Sequence, residues 1–184
     1  MASQRRVHGF ALIEVLVAVV VLAIGVLGAS AMQLVAMRVR HESQLLSNAA
    51  QMASALADRM RANPAQIGSA YLALDYDAHA EPVPAAPARL CWASACDSAA
   101  LADADIYDVK RQVAAQLPGG RVRVCRDAGM WAGGRLRWSC AGGPGAPVVI
   151  KIGWRGKNPD GTPARDTEGG HAPGVALAMA GVAP

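Results

Sequence analysis

His8-Gly9-Phe10-Ala11-Leu12-Ile13-Glu14-Val15-Leu16-Val17 decides how the rest of the chain is read. A short basic leader containing Arg5 and Arg6 ends at Gly9, and from Phe10 to Leu27 every residue is apolar or glycine except Glu14. A carboxylate inside a bilayer helix costs about 2.5–3.5 kcal/mol on insertion scales, so an acid retained there is a candidate functional group. Phe10 precedes Glu14 by four residues, one helical turn. An amine freed by cutting after Gly9 would lie beside that carboxylate, and the two charges would neutralise each other.

Gly9 to Ala18 resembles the class III signal of type IV pilins and type II secretion pseudopilins. The resemblance implies that a membrane prepilin peptidase cuts after Gly9 and N-methylates Phe10, and that Glu14 is the acid used in subunit assembly. Further on, Ala57-Asp58-Arg59-Met60-Arg61-Ala62-Asn63-Pro64 resembles the helix ending of PilV-like minor pilins, the type IV pilus modification proteins. Tyr107 to Lys110 and Leu117-Pro118-Gly119-Gly120 resemble the helix and turn before the sheet in that group. The function implied is a structural one: a minor pilin that takes part in priming and assembling the type IV pilus, with effects on adhesion and twitching motility. Its implied partners are the prepilin peptidase, other minor pilins, the major pilin, the inner membrane and a tip adhesin. Its implied location is the inner membrane, as a single-pass protein with a periplasmic C-terminal domain, and then the cell-surface pilus. A type II secretion minor pseudopilin and a DNA-uptake pilin acting through a basic sheet face are the alternatives, nucleic acid being the weaker.

Two plainer readings of the N-terminus leave Glu14 unaccounted for. An ordinary secretory signal would use Ala29-Ser30-Ala31 as its cleavage site, but its apolar region is about 7–15 residues and carries no charge. A plain anchor gives the acid no purpose. Arg5 and Arg6 on one side face Arg38 and Arg40 on the other, so charge leaves the orientation open, and only the resemblance puts the leader inside.

The 184 residues suffice for one membrane segment and one small domain. Aromatics make up only 4%, so the core must rest on small aliphatics and four tryptophans, and it needs reinforcement. All four cysteines follow the apolar segment, and an even count in an exported domain favours disulfides. Three connectivities exist; Cys91 with Cys96 and Cys125 with Cys140 is expected, because each pair is local in sequence. Those spacings match no compact zinc finger, so neither a metal nor a cofactor is expected. The formal charge of +4 includes the leader arginines and gives no strong partner signal.

Beyond the apolar run, Leu34, Met37, Leu45, Ala49, Met52, Leu56 and Met60 recur mostly at steps of three or four. One helix is therefore expected from residue 10 to 62, with residues 10–31 in the membrane, until Asn63-Pro64 stops it. Residues 65–98, rich in alanine and proline, read as a surface connection. From Asp103 a second helix is expected, with Ile106, Val109, Val113 and Leu117 inward and its acids in a first turn favoured by the helix dipole. Four alternating segments then read as strands: Val122 and Val124; Leu136 and Trp138; Val148, Ile150, Ile152 and Trp154; Val175, Leu177 and Met179. Their other face would carry Arg121, Arg123, Arg135, Arg137, Lys151 and Arg155. Simple alternation sets Cys125 on that arginine face and Cys140 on the opposite one, so their pairing calls for a bulge. Asn158-Pro159-Asp160-Gly161 reads as a turn.

The fold expected is α+β and pilin-like, a long N-terminal spine helix packed on a small antiparallel sheet. The expected divisions are a leader at 1–9, the spine at 10–62 and a globular domain at 63–184. No enzyme constellation is present: His8, His41, His79 and His171 are scattered, and no nucleophile or phosphate-loop motif occurs.

Overall fold

Leu12–Ala62 form one helix, α1, of 51 residues. The computed structural model describes residues 11–93, 95–158, 161–163, 165 and 170–180. The leader, Gly9 and Phe10 lie outside the described residues, as do Pro159 and Asp160 of the expected turn. The helix stops where proline requires it: Asn63 leaves helical geometry at φ −131°, ψ 60°, and Pro64 opens a 3-10 turn, Pro64–Gln66. Contacts divide the chain into Met1–Ser43 and Gln44–Pro184.

In the first unit, every described residue is exposed. The apolar run has a mean hydropathy of 2.8 over 18 residues and is long enough to cross a membrane. It is apolar all round, with no stripe that could face a core of its own.

In the second unit, α1 turns periodic. Leu45, Ala49, Met52, Ala53, Leu56, Ala57 and Met60 are buried at steps of three and four, and the alanines among them let neighbouring elements come close. They pack against a four-stranded antiparallel sheet of order β1-β2-β5-β6, formed by Asp75–Asp77, Arg121–Arg126, Val148–Gly153 and Pro173–Met179. Tyr76, Val122, Val124, Val148, Ile150, Ile152 and Met179 fill the core face. A second helix, α2, covers Ser98–Gln116 and adds Ala102, Val109 and Val113, with Leu117 just beyond its end. A small hairpin, β3 (Trp131–Ala132) with β4 (Arg135–Leu136), lies in the connection between β2 and β5.

Four sequence expectations change. First, α2 starts at Ser98 and not at Asp103, because Asp97 caps it, accepting from the Ala100 amide at 2.8 Å. Its first turn is alanine-rich and has no apolar period to detect. Asp105 and Asp108 therefore sit mid-helix and answer a cation instead of the dipole. Arg59 of α1 lies 3.4 Å from Asp105 and 3.2 Å from Asp108, and the Tyr71 hydroxyl donates to Asp105 at 2.7 Å.

Second, residues 65–98 are only partly a surface connection. Ile67, Tyr71, Leu74 and Tyr76 enter the core, and β1 becomes an edge strand. Third, Leu136 and Trp138 do not form a strand of the main sheet. Gly133 and Gly134, both at positive φ, turn the chain back into the hairpin, and Trp138 packs in the covering segment.

Fourth, Lys151 is fully buried. Alternation assigns it to the correct side of the sheet, but the segment between β2 and β5 folds over that side. The same covering segment resolves the cysteine difficulty: the register from Arg121↔Gly153 to Arg126↔Val148 is unbroken, and Cys140 reaches Cys125 from the segment above the sheet. At the margin, Arg121 and Arg123 pair with Asp75 at 3.1 and 3.4 Å, and Arg155 lies 3.8 Å from Asp77. The basic face is thus covered in its middle, and Arg121, Arg123 and Arg155 have acid partners along its edge.

Candidate assembly site

Glu14 lies in the first turn of α1, where its amide donates to the Ala11 carbonyl at 2.9 Å. A carboxylate there interacts favourably with the helix dipole, which explains its tolerance but not its presence within an apolar surface. Leu12, Ile13, Val15, Leu16 and Val17 around it are all exposed. Among the described residues Glu14 has no side-chain partner. From Leu12 to Leu27 the helix is an apolar rod with one anionic point, and it calls for an apolar environment plus one cation.

The cysteines belong to a different kind of site. The structure joins Cys91 to Cys96 and Cys125 to Cys140. The second bond closes a segment around a buried ion pair that the sequence reading missed. Lys151 Nζ lies 2.6 Å from Asp127 Oδ2, both side chains being fully buried, and it donates to the carbonyls of Arg137 and Ser139, each at 2.8 Å. Asp127 Oδ1 accepts from the amides of Gly129 and Ala141, each at 2.9 Å. Burial alone would raise the Asp127 carboxyl; the Lys151 contact and those two amides outweigh it and hold the group below the usual carboxylate range. Held between Asp127 and two carbonyls, Lys151 makes the arrangement a clamp that pins residues 127–141 over the sheet. A signal for it was present: a lone lysine in Val148-Val149-Ile150-Lys151-Ile152, on the face that a local disulfide must cover.

Beside the sheet margin, a cavity of about 290 Å³ is lined by Asp77, Arg121, Trp138, Trp154, Arg155 and His171. Arg121 stacks over Trp138 at 4.5 Å and pairs with Asp75, and Arg165 also lines the cavity.

Residues 4–30 match the family described as the prokaryotic N-terminal methylation motif, and residues 31–107 match the one described as Type IV pilin Tt1218. The chain belongs to the type IV pilins. Together the matches run through more than half of the 184 residues, from the leader to the middle of α2. No curated protein and no solved structure matches. Membership gives Glu14 its setting. Pilins are structural subunits, and the methylation motif implies processing by prepilin peptidase, membrane anchoring through the apolar helix and assembly with other pilins. The sheet of this pilin from β2 onward lies outside the matched residues.

Proposed function

We propose that this pilin is a minor subunit of the PilV kind that joins the priming complex of a type IV pilus and promotes its assembly, with effects on adhesion and twitching motility. Gly9 is the cleavage residue, Phe10 the methylated terminus and Glu14 the assembly acid. Residues 10–31 cross the inner membrane once, and the domain from residue 63 lies in the periplasm before the subunit enters the surface pilus. It works as a structural part, without catalysis, beside other minor pilins, the major pilin and a tip adhesin.

The single observation that carries this reading is Glu14, exposed and without a side-chain partner among the described residues, on a helix surface that is otherwise apolar. The cation it needs is the Phe10 amine, its own or that of a subunit already docked. Replacing Glu14 by Leu removes that demand. Membrane insertion and cleavage after Gly9 should persist in Glu14→Leu, while piliation and co-purification of partner pilins should fall. Normal piliation at native expression would remove the assembly role. A mature terminus at Met32 in place of N-methylated Phe10, read by mass spectrometry, would restore the secretory signal.

A further inference from the structure

The two edges of the sheet are built in opposite ways. β1 is three residues long, Asp75-Tyr76-Asp77, and its two acids are taken up by Arg121, Arg123 and Arg155. Short, charged edges resist further pairing. β6 has a proline and a register irregularity only at its start, where Ile152 faces Val175 and Gly153 faces Pro173. From there Val175-Ala176-Leu177-Ala178-Met179 runs in regular register along β5 with no charge, no proline and no bulge.

Two demands are left unmet at the same place. Among the described residues, no backbone group of Val175–Met179 has a partner outside β5. The hairpin strand β4 lies near β6, but its backbone pairs with β3. The hydrophobic layer also ends here: Val175 and Leu177 stand on the core face, opposite Ile152 and Ile150, yet they are only half-buried, whereas those partners are fully buried. One more strand would answer both demands.

We propose that the outer edge of β6 is a strand-accepting site. It takes an extended segment of about six residues from another protein, uncharged along its length and bearing aliphatic side chains at alternate positions. Period two follows from the pleat: one face of the added strand must cover Val175 and Leu177, and the other lies beside Ala176 and Ala178. The absence of charge follows from the edge itself, which has no ionic partner to offer. The inference does not depend on the pilus reading and is tested on the isolated chain.

The test is amide hydrogen exchange of the full-length protein in detergent micelles, with and without the capped peptide Val-Thr-Ile-Thr-Val-Thr. At a peptide concentration ten times its dissociation constant, exchange of the outward-facing amides in Val175–Met179 should slow about tenfold. Ala178 is exposed, so Ala178→Lys places a charge on the edge without disturbing the core, and it should abolish the slowing. Ala178→Thr should retain it, as should Val83→Lys at a distant exposed position. Unchanged exchange with the peptide, or equal slowing in Ala178→Lys, would overturn the site. A dimer of the chain alone, dissociated by Ala178→Lys in sedimentation, would overturn the foreign strand and make a second copy the occupant.

Discussion

The two halves of α1 have similar helix-forming sequences and opposite dependence on their surroundings. From Leu12 to Ser43 no described side chain is buried, though most are apolar; from Leu45 to Met60 seven side chains are buried, at steps of three and four. An apolar surface without periodicity cannot be satisfied by one chain and takes its stability from lipid or from neighbouring helices. A periodic one makes its own core. Changes in the globular unit should therefore move its unfolding and leave membrane retention alone. Each prediction below is read on both scales, thermal or denaturant unfolding of the globular unit and retention of the chain in membranes after alkaline extraction.

The largest shift belongs to the clamp. Asp127→Ala leaves the Lys151 ammonium buried and the Gly129 and Ala141 amides without an acceptor, and should cost about 3–5 kcal/mol. Lys151→Met should cost a similar amount. The double variant Asp127→Leu/Lys151→Met should cost less than the two single losses added, because an apolar pair does not leave a stranded charge. Strict additivity would mean that the two groups do not act as a pair. Membrane retention should not change in any of the three.

That clamp also marks the limit of what the sequence makes legible. The long helix, its stop at Asn63-Pro64, the apolar face of α2 and three of the sheet strands follow from local rules: period 3.6, period two and the geometry of proline. β1 escapes them because three residues, two of them acids, are too few to show a period, and its place is decided by pairing with β2. The burial of Lys151 escapes because it depends on what another segment, 127–141, does above the strand. Of the assembly residues, Glu14 is legible because its surroundings are uniform, and one charge in an apolar run needs no tertiary information to stand out.

Next in size are the disulfides. Replacing Cys125 and Cys140 by Ser should cost about 2–4 kcal/mol, since the bond closes a sequence separation of 15. Replacing Cys91 and Cys96, with a separation of only 5, should cost about 1 kcal/mol less by loop entropy. Denaturant melts of the two double variants give the comparison directly. Equal losses would mean that chain entropy does not set the difference. Reducing agent should lower the midpoint of the globular unit without releasing the protein from membranes.

Acid should act through Asp127. Its folded pKa is depressed, because the Lys151 contact and two amides outweigh burial, so its contribution is present above the unfolded value of about 3.9. That contribution is lost as pH falls through the depressed folded value. Melting temperature followed from pH 7 to pH 2 should show this acid limb in the wild type and a weakened one in Asp127→Asn. An identical slope in both would assign acid sensitivity to other carboxylates.

The smallest shift lies where α1, now periodic, meets α2. Tyr71 is buried and donates to Asp105, which also receives Arg59, so Tyr71→Phe removes one hydrogen bond from an acid that keeps its cation. About 0.5–1.5 kcal/mol should be lost at neutral pH. The alkaline side carries the sharper signature. Burial first, and then the Asp105 contact, raise the Tyr71 hydroxyl above its ordinary value of about 10. A raised folded pKa means that the contribution is complete below that ordinary value and declines as pH climbs toward the folded one. Tyr76 is raised as well, chiefly by burial, so Tyr71→Phe should reduce the alkaline loss of stability without abolishing it. Denaturant melts between pH 8 and pH 11 read this out. A variant that loses stability at alkaline pH as steeply as the wild type would show that Tyr71 ionises as freely in the folded unit as in the unfolded chain, and the contact between the two helices would then contribute through Arg59 alone.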